Sequence, residues 1–264
     1  MAARAVTKRY GGITALDGVT VELLAGRVHA IVGENGAGKS TLTGILGGVI
    51  SPDSGTVEIG GRPVELAHPA AALDAGIAVV YQELSLFGAM SVADNVTLGI
   101  QPLRAGFIDR KKQRAMAEDL LARVGGAGID PDEPVENLTV ARQQLVEVAK
   151  VLARRPAAII FDEPTAVLPS EEADTLLELV RSLADEGVAV GYISHRLAEL
   201  TRIADDVTVL RDGKLVWTKP LADVTVPEIV SAMVGRAVED AFPERTGGAT
   251  DEPVLEGRNP LLPG

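Results

Sequence analysis

Cysteine is absent from all 264 residues, which excludes disulfides and Cys-based zinc sites. Aromatic residues are scarce, at 3%, so Ala, Val, Leu and Ile must fill any core. Long apolar runs are missing as well: none approaches the roughly 18 to 20 residues that a membrane-spanning helix needs. Positive charge is outnumbered, with 25 Lys and Arg against 37 Asp and Glu, a net charge of −12. That balance argues against unaided binding to nucleic acid or to an anionic lipid surface. Residues 1–10 carry three positive charges with no apolar stretch after them, unlike a secretory signal. The expectation is a chain that stays in the cytoplasm and that, if it works at a membrane, docks on other subunits. Its length and its 46% apolar residues suit one sizeable core, either a single domain or a domain with a lobe inserted in it.

What is present is an alternation. Residues 28–32, 77–81, 157–161 and 188–193 read as buried strands. Residues 39–46 read as a helix after a Gly-rich turn. Residues 171–184 form an amphipathic helix, with Ala173, Leu176, Leu177, Val180 and Leu183 on one face. Strands alternating with helices predict an α/β fold, a mostly parallel sheet with helices on its faces. From about 84 to 153 the chain is more polar and largely helical, most clearly over 110–124 and 139–152, which predicts a helical lobe inserted in that core. Residues 207–210 and 214–217 flank Arg211-Asp212-Gly213, a hairpin with an Asp-Gly turn and so an antiparallel portion. Thr225-Val226-Pro227-Glu228 opens a short helix with a capping box. After about Val238 the composition turns to Pro, Gly, Thr and acidic residues, which predicts an irregular tail.

Two segments carry chemistry. Gly33-Glu34-Asn35-Gly36-Ala37-Gly38-Lys39-Ser40 fits the phosphate-binding pattern G-x4-G-K-[ST]. Glycines let backbone N–H groups converge on phosphate oxygens where a Cβ would obstruct them. The helix that follows points the positive end of its dipole at the same anion. Lys39 is expected to reach the β- and γ-phosphates of ATP and the Ser40 hydroxyl to ligate Mg²⁺, with Thr41 beside it. The second segment, Ile159-Ile160-Phe161-Asp162-Glu163, is an apolar strand ending in two carboxylates. Asp162 would hold Mg²⁺ directly or through water. Glu163 would polarise the attacking water as general base. His29 reads as a strand residue, His68 as a helix-start residue, and Arg110-Lys111-Lys112 as a solvated helix end.

Pro164-Thr165 completes Asp-Glu-Pro-Thr, and here the chain resembles the ATP-binding cassette (ABC) ATPases, a P-loop NTPase family with a RecA-like core. Over residues 5–238 the other family landmarks follow in order. The resemblance makes Gln82 the glutamine that senses Mg²⁺ and the attacking water and signals to a transmembrane partner. It makes His195 the switch histidine near the γ-phosphate, and Tyr10 the aromatic that stacks on adenine. Leu138-Thr139-Val140-Ala141-Arg142-Gln143-Gln144 sits where the family has Leu-Ser-Gly-Gly-Gln. Thr139 and Ala141 would therefore contact nucleotide across a dimer in which two cassettes sandwich two ATPs.

This stretch departs from the family pattern. Thr139 keeps a hydroxyl, but Val140 and Ala141 replace glycines and Arg142 replaces the Gln. Pro169 stands where a D-loop Asp is usual. A Cβ at the glycine positions crowds the approach to a γ-phosphate. The expectation is a hydrolytic site at this chain's own P-loop and a weaker one opposite. Residues 28–36, Thr139-Val140-Ala141 with 143–150, and Ile193-Ser194-His195-Arg196 resemble the cassettes of monosaccharide importers, which commonly join two cassettes in one chain. Met233-Val234-Gly235-Arg236, Phe242-Pro243 and 253–259 look like a linker and the opening strand of a second cassette. The domain reading is a cassette over 1–238 with its lobe at about 84–153, then a linker and a truncated second cassette over 239–264. The resemblance implies an importer ATPase on the inner face of the membrane. Its partners would be permease subunits, a second cassette of the same type or a missing C-terminal half, and indirectly a solute-binding protein, with no nucleic acid. Three readings stay open beside monosaccharide uptake: another solute such as an amino acid, nucleoside or autoinducer; a soluble non-transport cassette; and a regulatory cassette without turnover.

Overall fold

The computed structural model describes residues 1–235. The expected linker and second-cassette start at 239–264, with Arg236, lie outside them. In chain order the strands and helices begin with β1 (Ala2–Tyr10), β2 (Ile13–Glu22), β3 (Val28–Val32) and α1 (Lys39–Leu46). Next come β4 (Ser54–Ile59), β5 (Arg62–Val64), α2 (Pro69–Asp74) and β6 (Ile77–Val80). The polar middle of the chain gives α3 (Val92–Val96), the small hairpin of β7 (Leu103–Arg104) and β8 (Phe107–Ile108), α4 (Arg110–Arg123) and α5 (Val140–Leu152). Then follow β9 (Ala158–Asp162), α6 (Ser170–Asp185), β10 (Ala189–Ile193) and α7 (Leu197–Ile203). The described chain closes with β11 (Asp206–Arg211), β12 (Lys214–Pro220) and α8 (Val226–Val234).

The central sheet has six strands in the order β12-β11-β3-β10-β9-β6. All neighbours are parallel except β12, which returns antiparallel on β11 through Asp212 and Gly213. Both turn residues have positive φ, +52° and +75°, the conformation a two-residue hairpin of this twist demands. β3 is buried at all five positions, as expected of a parallel strand covered on both faces. The period of two sorts the side chains. Val28, Ala30, Val32, Ile159, Phe161, Val190 and Tyr192 enter one core with α5 and α6. Ile31, Ile160 and Ile193 enter a second, with α1 and a separate antiparallel sheet ordered β2-β1-β4-β5.

Three strands begin or end one residue from the sequence reading. β10 starts at Ala189 rather than 188 because the Val188 N–H donates to Leu183 O, closing the end of α6 where Gly187 turns at φ +96°. β9 starts at Ala158 and takes in Asp162, which pairs with Ile193 of β10. β6 stops at Val80. The capping box at Thr225 and Glu228 is formed, and His68 caps α2. Among the described residues no helix is long and apolar enough to cross a membrane.

His29 lies buried in β3, its Nε2 2.6 Å from the Thr208 hydroxyl, which in turn meets Thr218 at 2.7 Å. Burial, helped by the charge of Arg27, pulls its pKa down from 6.5 to about 4. Between those values the unfolded chain binds a proton that the folded chain excludes, so stability falls as pH drops through that window. From pH 7 to pH 5 this group alone removes about 2 kcal/mol. Urea unfolding at the two pH values should therefore show a smaller pH loss in His29→Gln than in the parent; equal losses contradict the assignment.

Candidate functional site

Parallel strands all present their carboxyl ends to the same edge of a sheet, and that edge is where α/β folds bind ligands. Here β3 delivers the loop 33–38 to it, β6 delivers Gln82, β9 delivers Asp162 and Glu163, and β10 delivers His195. The order β3-β10-β9 seats the histidine strand between the other two.

The Gly-rich loop is held tightly. Gly38 has φ +102°, and a Cβ there would stand 2.6 Å from Ala15 O and 2.7 Å from Leu16 Cδ2. Only glycine combines that backbone with that contact. Gly38 caps α1 without a side-chain hydrogen bond, and the first turn of α1 carries no acidic residue. Its opening N–H groups thus face the cleft with the positive end of the helix dipole. Lys39 is buried along its stem and folds back on the loop, its Nζ donating to Gly33 O at 2.7 Å and to Glu34 O at 3.0 Å. Burial lowers its pKa, while the charges of Glu163 and Asp162 oppose the shift.

Facing it, burial raises the pKa of Asp162; a hydrogen bond from Thr43 opposes this, the neighbouring Glu163 adds to it, and Lys39 again opposes. Glu163 has φ +50°, a left-handed backbone costing a non-glycine residue roughly 1–2 kcal/mol. Its N–H donates to Ile193 O at 2.9 Å, and its Oε2 lies 3.3 Å from His195 Nδ1. A non-glycine residue held in this conformation at a strand end is a recurrent mark of a functional site.

One cleft of about 620 Å³ gathers Tyr10, Asn35, Gly36, Gly38, Lys39 and Ser40 on one side. Thr41, Gln82, Asp162 and Glu163 line it as well. The size suits a nucleotide-sized ligand. A second hollow shares Asn35 and Glu163 with it and adds Gly33, His195 and Met233. Ala37 stands apart from the lining: it is buried in the core, its N–H donating to Glu34 O. Thr139 and Ala141 lie at the start of α5, away from both hollows. Thr139 is exposed and caps that helix by accepting from the Arg142 N–H, with Val140 exposed beside it. Pro169 caps α6.

Ser40, Gln82 and Asp162 bring a hydroxyl, an amide and a carboxylate oxygen to the cleft, hard donors that suit Mg²⁺, which keeps phosphate and water among its ligands. The glycine cradle, the open helix terminus and Lys39 fit a polyphosphate.

The sequence alone does not point to Ile13, Thr14 and Ala15, which β2 adds to the cleft, or to Met233 from α8. The available signal is Gly11-Gly12, the turn that joins β1 to β2. It places Tyr10 and Ile13 together across the end of an antiparallel pair.

The chain is similar to known proteins along most of its length. It is 48% identical over 257 residues to ribose import ATP-binding protein RbsA 2 of Rubrobacter xylanophilus, covering 97% of this chain and 49% of that protein. Against ribose import ATP-binding protein RbsA 1 of Rhizobium etli the identity is 43% over 254 residues, 96% of this chain and 50% of the other. The chain thus spans about half the length of the curated relatives it matches. Among solved structures, a dimeric ATP-binding cassette in a post-hydrolysis state with ADP and Pi superimposes with a TM-score of 0.74 at 26% identity, over 84% of this chain and 99% of that one. A nucleotide-free cassette from an ABC transporter gives the same score at 24% identity, over 88% and 97%, a likeness of fold. The family profile described as ABC transporter matches residues 16–166, and with the cleft built as above the chain belongs to the ABC transporter family.

Proposed function

We propose that this chain is the ATP-binding, ATP-hydrolysing part of an importer of a small solute, a monosaccharide such as ribose. The observation that carries the reading is the single cleft in which Lys39, Ser40, Gln82, Asp162 and Glu163 converge. The printed names of the relatives favour ribose. The loop amides and Lys39 bind the phosphate chain of ATP, and Tyr10, 48% exposed at the cleft mouth, stacks on the base. Ser40, Asp162 and Gln82 are the residues that would hold Mg²⁺, which when bound offsets charge on the transferring phosphoryl group. Glu163 accepts hydrogen bonds from the attacking water and orients it. His195, beside Glu163, stands ready for the γ-phosphate. Because the curated relatives are twice as long, a second cassette is the natural partner, offered either by a longer chain or by a second copy.

Coupling needs a surface that feels the cleft. A largely apolar groove of about 270 Å³ opens beside Gln82, lined by Leu73 of α2, Val79 and Tyr81 on one side and by Glu147 and Val151 of α5, with Arg154 just beyond it, on the other. A cytoplasmic helix of a permease, apolar with a polar end, would seat there between the core and the helical lobe. On this reading the working chain stands on the cytoplasmic side of a membrane transporter.

Four outcomes are expected. Glu163→Gln should bind Mg-ATP while hydrolysing it roughly 10²- to 10⁴-fold more slowly. Light scattering should show ATP shifting that variant from monomer to dimer if two copies suffice; a nucleotide-bound monomer assigns the partner role to a separate cassette. In the assembled transporter, Leu73→Glu should leave nucleotide affinity unchanged and abolish solute-stimulated turnover; normal stimulation sinks the docking groove. Finally, hydrolysis resolved by site should be slower at the nucleotide facing Thr139, Val140 and Ala141 than at this chain's own P-loop, and equal rates remove that asymmetry.

A further inference from the structure

Glu199 stands outside the cleft in the first turn of α7, 8% exposed. A buried carboxylate is costly unless its oxygens are filled by donors, and here four side chains fill them. The Thr165 hydroxyl lies 2.8 Å from Oε1 and 2.9 Å from Oε2. Tyr192 OH donates to Oε2 at 3.0 Å and Ser194 Oγ at 3.1 Å. Arg196 reaches Oε1 at 3.3 Å. Ser194 Oγ also accepts the Arg196 N–H at 3.0 Å, and the other Arg196 guanidinium nitrogen reaches Ala166 O. Burial, then the Glu199 charge, holds the Tyr192 phenol far above its usual pKa, so it remains a neutral donor.

The identities of the donors give the cluster its meaning. Thr165 is two residues beyond Glu163. Ser194 and Arg196 flank His195 on either side. Glu163 and His195, 3.3 Å apart, stand on the irregular segments that follow two different strands, β9 and β10, joined there by the hydrogen bond from the Glu163 N–H to Ile193 O. A single carboxylate therefore ties together the backbone on which both stand.

We propose that Glu199 is a positioning residue for ATP hydrolysis, holding the turn after Glu163 and the loop of His195 in the register at which the two side chains face each other. The proposal rests on the reading that those two residues serve hydrolysis. A charged acceptor suits the task because four donors of different lengths converge on it, and a hydrogen bond to an ionised acceptor is stronger than one between neutral groups. The P-loop is anchored separately, by β2 and the Asp212-Gly213 hairpin. Loss of Glu199 should therefore spare nucleotide binding.

The test uses the full chain, with its partners where turnover requires them. Mg-ATP affinity, kcat, KM and thermal midpoint are measured for Glu199→Gln, Thr165→Val and Thr165→Ser, with Glu163→Gln as the control for the site. Glu199→Gln should lower kcat roughly 10- to 100-fold through misplacement, with KM and affinity changed less than about twofold. Thr165→Val should do the same, Thr165→Ser should restore turnover, and the Glu199→Gln/Thr165→Val double variant should be no worse than the poorer single, as members of one network behave. A Glu199→Gln kcat within about twofold of the parent overturns the proposal. So does a fall in kcat that merely tracks lost affinity and a lowered thermal midpoint. If Glu199→Gln does not fold, the Thr165 pair decides, and equal turnover of Val and Ser variants overturns it. Unimpaired hydrolysis by Glu163→Gln would instead refute the reading of the site beneath it.

Discussion

The parallel ladder that seats β10 between β3 and β9 sets where every group of the site stands. Its register pairs Val190 with Val28 on one side and with Ile159 on the other. Three strands therefore end level, and whatever follows them must meet at one edge. Because both faces of these strands are buried, a slip of one residue would exchange the two cores and expose neither to water without cost. The rigidity of the cleft is thus inherited from the burial of Val, Ile and Ala side chains that never touch it.

On that frame the two working segments are held in contrasting ways. The Gly-rich loop is pinned by close approach: Gly38 lies against Ala15 and Leu16, and Gly33 against Leu210 O. Gly213 in the Asp-Gly turn donates to Ala37 O while its own carbonyl accepts from the Asp17 N–H. The antiparallel sheet and the terminal hairpin thereby clamp the loop from both sides, a role that neither element's own sequence announces. The strand-end carboxylates are pinned by hydrogen bonds and a strained backbone: Glu163 keeps its left-handed φ because Ile193 O accepts its N–H.

The electrostatics of the cleft follow from the same closeness. Lys39, Asp162 and Glu163 share a partly buried space: the two carboxylates favour the charged form of Lys39, and Lys39 favours the charged form of Asp162. In a chain of net charge −12, the start of α1 with Lys39 is a local source of positive potential to which an anion is drawn. Thr139, Val140 and Arg142 stand exposed at the start of α5, away from this chain's own cleft.

Much of this was legible in the residues. Apolar runs marked β3, β6, β9 and β10 to within a residue, because a strand buried on both faces admits little else. The Gly33 to Ser40 pattern and the Asp162-Glu163 pair named their chemistry, because phosphate binding constrains backbone and side chain within one short segment. The capping box at Thr225 is likewise local, and so was visible. The antiparallel sheet of β1, β2, β4 and β5 was not located. Its strands are partly exposed and bulged, so their apolar pattern is broken, and with it went Thr14 and Ala15. Glu199 carried no signal: a glutamate in the first turn of a short helix is ordinary until Thr165, Tyr192 and Ser194 are known to surround it. The sequence by itself determined the chemical inventory and the strands that carry it. Only the tertiary structure decided which groups meet, because strand order, register and the clamp around Gly38 arise from contacts between segments tens to hundreds of residues apart, which no local pattern encodes.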